Sequence, residues 1–180
     1  MITFRLADSL PTHLLERFEK TASRIDDALQ RRRIEAYLDA GHGSCALRDS
    51  RVGPKVEDAL LYFDGKRYRM MAWVIMPNHV HALLEIEQKF LLQEIMHSWK
   101  SYTGNEANKI LGKPGVFWAA EYFDRYIRDS RHFENAVRYI HENPVKAGLA
   151  AKAEDWPLSS ARIIFEGLSS LGARASCPQK

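Results

Sequence analysis

The chain has 180 residues, of which 46% are hydrophobic and 27% are charged, a globular composition that predicts a single domain with a buried core. Its net charge of +3 permits a nucleic-acid partner without requiring one, and it argues against a polybasic membrane anchor. Cys45 and Cys177 stand far apart without CxxC spacing, so the sequence supplies neither a disulfide framework nor a structural zinc cluster.

The first residues, MITFRLADSLP, contain charges and lack the apolar core of a signal peptide. The longest apolar run, Met70 to Pro77, is far too short to span a bilayer. We therefore expect a soluble, cytoplasmic protein with no membrane partner.

The N-terminal half predicts a strand, two helices and a hairpin. Residues 2–6 (ITFRL) alternate as in a strand, and the apolar spacing of SLPTHLLERFEK predicts a helix that continues to about Leu38. A glycine-rich loop follows, then a second helix over KVEDALLYFDG. RYRMMAWVIM and HVHALLEI are apolar strands joined by Pro77 and Asn78, which predicts a hairpin.

The C-terminal half predicts two helices separated by extended segments. The first helix covers KFLLQEIMHSWKSYTGNEANKIL, and GKPGVFW and YFDRYIRD follow as a turn with a short strand and an extended segment. The second helix covers SRHFENAVRYIHEN, with Ser130 as its N-cap and its end before Pro144. This order of elements favours a mixed α+β sheet over a doubly wound one.

His79 and His81 flank a valine at the start of the second hairpin strand. Residues i and i+2 of a strand point to the same face, so both imidazoles should leave the sheet together, at a strand end open to solvent. Two such imidazoles can hold one metal ion, although a hydrogen-bonded histidine pair fits the same pattern. Glu85 on the same strand is about 13 Å away by strand rise, too far to complete the site.

Tyr139 and Asn143 are four residues apart and should share a face of the last helix. They lie beside an apolar stripe with helical spacing: Phe133, Ala136, Val137 and Ile140. An amide oxygen can be the third ligand of a hard cation, and a phenol beside a metal can be a nucleophile. The residues alone leave other roles open, an interfacial tyrosine and a helix C-cap.

Five segments together resemble the REP-associated tyrosine transposases, which belong to the single-tyrosine HUH (His-hydrophobic-His) transposases. They are ITFRLADSLP, MPNHVHALL, HSWKSYTGNEANKILG, FWAAEYFDRYIRDSRHFENAVRYIHENPVKAGL and EDWPLSSAR. The resemblance covers roughly residues 2–165. It implies one transposase/nuclease domain over residues 1–166, and the small, polar tail at 167–180 is expected to be disordered.

The resemblance implies a fold, a site and a reaction. The fold is a ferredoxin-like antiparallel sheet with packed helices. His79, His81 and Asn143 match the ligands of a divalent metal, Mg²⁺ or Mn²⁺, and Tyr139 matches the catalytic tyrosine. The activity is cleavage and strand transfer of single-stranded DNA at hairpins of repetitive extragenic palindromes, through a 5′-phosphotyrosine. Members of the family act as monomers or homodimers.

Basic and aromatic residues of the second half are candidates for DNA contact, since cations pair with phosphates and aromatic rings stack on unpaired bases. We select five: Lys100, Trp118, Tyr122, Arg125 and Arg128. A solvated mixed-charge face or a core position would explain each equally well.

Two alternatives to a strand-transferring nuclease follow from the sequence. A protein of the same descent could bind hairpin DNA with little or no cleavage. A small-molecule hydrolase of the HxHxH kind fails because Leu83 stands where the third histidine would be.

Overall fold

The computed structural model describes residues 1–11 and 27–163. The first half of the predicted N-terminal helix, residues 12–26, and the predicted tail, residues 167–180, lie outside these ranges.

One antiparallel sheet organises the described residues. Its strands, in the spatial order β2-β3-β1-β4, are β1 (Ile2–Arg5), β2 (Tyr68–Ile75), β3 (His79–Ile86) and β4 (Phe123–Asp124). β2 and β3 form the predicted hairpin. The α+β class is confirmed, and this strand order is that of a ferredoxin-like sheet.

Helices cover both faces of the sheet. They are α1 (Asp27–Asp39), α2 (Gly53–Leu61), α3 (Leu92–Leu111) and α4 (Ser130–Lys146). α2 and α3 pack on the face that carries Phe4 and Val80, whereas α1 and α4 lie on the opposite face. We call these the α2/α3 face and the α1/α4 face.

The α2/α3 face is an apolar core rich in aromatic rings. Phe4 of β1 stacks near Trp99 of α3 and lies 4.8 Å, between ring centroids, from Trp118. The indole N–H of Trp118 donates to Thr103 Oγ1 at 2.8 Å, which satisfies its one buried polar atom.

The α1/α4 face is only partly apolar. Near β2 it buries Ala72, Val74 and Leu83 against Ala136 and Ile140 of α4, so the predicted apolar stripe of this helix does face the sheet. Near β1 the same face carries buried polar side chains instead: Thr3, Arg5, His79 and His81.

The predicted strand in GKPGVFW is absent from the described residues. Trp118 makes an isolated bridge to Leu6, and the backbone of Ala119 donates to the Arg5 carbonyl at 3.0 Å. The segment therefore runs beside the end of β1, but its backbone pairs with β1 too irregularly to form a strand.

Both predicted ends of α4 are wrong. Asp129, not Ser130, is the N-cap, because its carboxylate accepts a hydrogen bond from the backbone N–H of His132 at 2.7 Å. The helix passes through Pro144 to Lys146. A proline so near the C-terminus removes a single backbone donor, and the Asn143 carbonyl still accepts from the Ala147 N–H at 3.0 Å.

Within residues 1–11 and 27–163, no helix combines the length and the apolar character needed to cross a bilayer.

Ile140→Ala should destabilise the protein by about 2–5 kcal/mol, because Ile140 is fully buried at the contact between α4 and the sheet. Urea unfolding followed by circular dichroism measures the change. Arg138→Ala, at an exposed position of the same helix, is the matched control and should stay within about 0.5 kcal/mol of wild type. Equal effects of the two changes would contradict the packing described.

Candidate metal and tyrosine site

The two histidines lie on one face of β3, as their spacing predicts. The chain turns at Pro77 and Asn78, β3 begins at His79, and Val80 points into the α2/α3 core. The Nε2 atoms of His79 and His81 approach to 3.1 Å, with the rings nearly perpendicular. Two imidazole nitrogens therefore converge on one point.

Neighbouring polar groups orient both rings. The Asn78 amide nitrogen donates to the His42 carbonyl at 2.8 Å, so its oxygen faces His79 Nδ1, 2.7 Å away. An amide oxygen only accepts, which places the His79 proton on Nδ1 and leaves Nε2 as a free ligand atom. The Thr3 hydroxyl lies 2.8 Å from His81 Nδ1 and orients the second ring, as either donor or acceptor.

The expected solvent-open strand end is not found. His79 is 1% exposed and His81 is 0% exposed, because α1 and α4 cover this part of the sheet. Burial lowers the pKa of His81 to about 3 and the pKa of His79 well below its ordinary value, with the neighbouring His81 contributing to the latter. Both rings are thus neutral, which is the form that binds a metal.

Helix α1 contributes a carboxylate that the sequence analysis missed. Asp39 Oδ1 lies 3.6 Å from His79 Nε2, is buried and makes no hydrogen bond. Ligand atoms of Asp39, His79 and His81 all lie within 4.8 Å of one another, a spacing that suits one cation. Burial and the nearby Glu35 carboxylate raise the pKa of Asp39 to about 6, whereas Lys146 opposes the shift.

The signal for Asp39 in the sequence was the i, i+4 pair of acids, Glu35 and Asp39, on one side of a predicted helix. That pattern also fits an exposed helix face. The tertiary placement of α1 beside β3 is what turns one of these acids towards the histidines.

Helix α4 brings Tyr139 and Asn143 to the same place. The Tyr139 ring centroid is 5.2 Å from that of His81. Asn143, one turn later, is 1% exposed and lies next to the Tyr139 hydroxyl, yet neither amide atom makes a hydrogen bond of ordinary geometry. A buried amide without a partner is costly, and a cation or an incoming polar group would satisfy it.

The protonation of Tyr139 is set by its surroundings. Burial raises the pKa of the phenol well above its usual range, and the carboxylates of Glu35 and Asp39 raise it further. The phenol is therefore neutral in this arrangement. Cationic charge close to the ring, such as the Lys146 ammonium 5.5 Å from its centroid, acts in the opposite direction.

Three of the five DNA-contact candidates meet at one pocket of about 460 Å³ between α3 and residues 115–122. Lys100 and Tyr122 are half-buried at this pocket, but Trp118 is only 5% exposed and stacks in the core, so it serves the fold. Arg125 lines a different pocket with Tyr126 and Ile127, and Arg128 is exposed near the start of α4. Glu85 is exposed and pairs with Arg69, away from the histidines, as expected.

Comparisons with known proteins bear on the family and the fold of the chain. The family described as "Transposase IS200 like" matches residues 59–143, a range that includes His79, His81, Tyr139 and Asn143. A REP-associated tyrosine transposase of Escherichia coli K12 is 25% identical over 93 residues, which are 52% of this chain and 54% of that protein. A putative REP-associated tyrosine transposase of Haemophilus influenzae is 25% identical over 103 residues, 52% of this chain and 58% of that protein.

The chain thus spans little more than half the length of the curated relatives it matches. A solved structure of a REP-associated tyrosine transposase bound to a REP hairpin superposes with a TM-score of 0.56. The match covers 93% of this chain and 79% of the other, at 18% identity, and it confirms the fold. The resemblance expected from the sequence motifs is confirmed by these matches.

Asp39→Asn should weaken Mn²⁺ binding by about tenfold or more, because a neutral amide replaces the carboxylate that lies with His79 and His81. Titration calorimetry measures the affinity. Glu85→Gln, an equal charge change at an exposed position on β3, is the control and should bind as wild type. Unchanged affinity in Asp39→Asn would remove this residue from the site.

The same variant has a second readout without metal. The folded-state pKa of Asp39 is raised, so its charged form is disfavoured by folding at any pH above about 6. The amide that replaces this carboxylate carries no charge, and the melting temperature of Asp39→Asn at pH 8 should therefore exceed that of wild type. The gain should shrink as the pH falls below about 6 and disappear at about pH 4 and below, where the carboxyl is protonated in the unfolded chain as well.

Proposed function

We propose that the chain, whose residues 59–143 match the family described as "Transposase IS200 like", is a metal-dependent endonuclease and strand transferase for single-stranded DNA. Its substrate is DNA that carries palindromic hairpins of the REP type, the ligand in the matched structure. The observation that carries the proposal is the position of the Tyr139 ring, 5.2 Å from His81 and on a helix that packs against the histidine strand.

His79 and His81 would hold a divalent metal, Mg²⁺ or Mn²⁺, with oxygen ligands from Asp39 and Asn143. The fit is good because Asp39 Oδ1 and the Asn143 amide are buried without hydrogen-bond partners, and the two Nε2 atoms contact only each other and Asp39. A metal bound there would supply Lewis-acid polarisation of a phosphodiester and neutralise the charge that develops on it.

Tyr139 would be the nucleophile. Its phenolic oxygen bonds to phosphorus while the bond from phosphorus to the 3′ oxygen breaks, which gives a 5′-phosphotyrosine and a 3′ alkoxide that takes a proton from water to become the free 3′-OH. The phenolic proton must leave, and the carboxylate of Glu35 lies beside the hydroxyl to accept it. The ester conserves the cleaved linkage, so a 3′-OH can attack it in reverse and complete strand transfer without ATP.

The principal rival is a hairpin-binding protein of the same family that cleaves little or not at all. Binding and cleavage assays on the same oligonucleotide separate the two functions, since the rival predicts the first without the second.

Tyr139→Phe should bind hairpin DNA with near wild-type affinity and lose cleavage, because it deletes the ester-forming oxygen and keeps the packed ring. Gel shift and gel-resolved cleavage in Mn²⁺ measure the two properties. Tyr126→Phe, at an 84% exposed tyrosine, is the control and should cleave normally. Mass spectrometry should locate the covalent adduct on Tyr139, and an adduct on another tyrosine would refute the assignment.

A single strand with a hairpin should bind more tightly than a random duplex at physiological salt. The net charge of +3 gives little non-specific attraction to duplex phosphates, so loop and unpaired-base contacts must carry recognition. Competition of both DNAs against a labelled hairpin measures the preference. Equal competition would contradict it.

A further inference from the structure

The pocket between α3 and residues 115–122 has the lining of a polar ligand site. One side is a stripe along α3 at helical spacing: Gln93, His97, Lys100, Gly104 and Asn108. The other side presents Tyr122 and the backbone of residues 119–120. Its volume of about 460 Å³ lies within the range of small-ligand pockets.

Gly104 sits in the middle of this stripe, in the interior of a long helix, where glycine is unfavourable by about 0.5–1 kcal/mol relative to alanine. Backbone geometry does not require it. A Cβ there would meet Phe117 Cβ and Trp118 Cδ1 at 3.6 Å each, which is ordinary contact. The effect of the glycine is to keep the pocket wall free of a side chain.

Two cations and one anion lie at the β1 edge beside this pocket. Arg5 pairs with Glu121, and Lys100 Nζ donates to the Ala120 carbonyl at 2.8 Å. Lys100 also interacts electrostatically with both Arg5 and Glu121. The three side chains therefore form one cluster with a net charge of +1.

Arg5 is under-satisfied in this cluster. It is 3% exposed, its Nε is buried without a hydrogen-bond partner, and its other contacts are the Leu6 carbonyl at 3.2 Å and Ser9 Oγ at 3.5 Å. Its carboxylate partner, Glu121, is 48% exposed and stands on an irregular segment. A buried guanidinium held by a half-exposed carboxylate is a site where a phosphate can replace the carboxylate with the same geometry.

The register of the sheet ties this cluster to the histidines. Arg5 pairs with His79 across β1 and β3, and residues so paired have Cα atoms about 5 Å apart. Arg5 and His79 therefore lie on the same face of the sheet, on adjacent strands.

We propose that the pocket and the Arg5–Lys100–Glu121 cluster form a subsite for one unpaired nucleotide of single-stranded DNA. Arg5 and Lys100 bind its phosphate after Glu121 swings out, and its base enters the pocket against Tyr122 and the α3 stripe. This subsite rests on the proposed function for its position next to the cleaved bond, but its binding chemistry is independent of metal and of Tyr139.

The test uses equilibrium binding in EDTA, where cleavage does not occur. The probe is a fluorescein-labelled thymidine homopolymer of about twelve nucleotides, followed by anisotropy at two salt concentrations. Glu121→Gln should tighten binding by about three- to tenfold, because the competing anion is removed. Glu87→Gln, an exposed acid in the loop after β3, is the control for the equal change in net charge.

Gly104→Leu tests the pocket itself. The change places a branched side chain at the pocket wall, beside Phe117 and Trp118, so the affinity should drop by about tenfold. Crowding against these two rings should also lower the melting temperature, so binding is measured at a temperature where circular dichroism shows the variant to be folded. Lys100→Met should lower the affinity and reduce the salt slope by about one, whereas Lys66→Met, an exposed lysine in the turn before β2, should change the affinity less.

Support requires both that Glu121→Gln binds more tightly than Glu87→Gln and that folded Gly104→Leu binds more weakly than wild type. If either of these two results is not obtained, the proposed subsite is refuted. The absence of a Tyr139 adduct in the cleavage assay would refute the nuclease and leave these binding results unchanged, so the two failures are distinguishable.

Discussion

Two uncharged imidazoles are buried together on a sheet face, and the local structure around them satisfies their nitrogens. The Asn78 amide and the Thr3 hydroxyl take the two Nδ1 atoms, which directs both Nε2 atoms to one point. The side-chain amide of Asn78 has this orientation because its nitrogen donates to the His42 carbonyl, which turns its oxygen towards His79. The register of β1 with β3, the turn at Asn78 and the loop at His42 therefore all help to orient the two imidazole rings.

The two faces of the sheet differ in what they contribute. The α2/α3 face is packed with aromatic and aliphatic side chains, and their burial stabilises the fold. The α1/α4 face is apolar towards β2, where Ile140 anchors α4, and polar towards β1. Tyr139 lies at the boundary, so the same helix turn that packs the core also fixes the phenol beside His81. One helix therefore contributes both to the core and to the candidate site.

The features that the sequence predicted correctly are those that follow from the local periodicity of strands and helices. The i, i+2 spacing placed His79 and His81 on one face, and the apolar stripe placed Tyr139 and Asn143 at the edge of a buried surface. The misses are tertiary. Asp39 needed the docking position of α1, and Trp118 resembled a DNA contact because burial on the far face of the sheet cannot be read from its neighbours. The ends of α4 were wrong for a different reason: Asp129 and Ser130 are both good caps, and only the backbone geometry decides between them.

The cover over the histidines has a kinetic consequence. Helix α1 is held to the sheet by a small apolar cluster that includes Leu10, Ile34 and Leu38. An ion or a phosphate reaches the buried nitrogens only in the fraction of molecules whose cover is open. For an ion bound at the candidate site, entry and release would therefore both require α1 or α4 to move away from the histidines. Slow exchange of the ion is then a property of helix docking rather than of the ligand atoms.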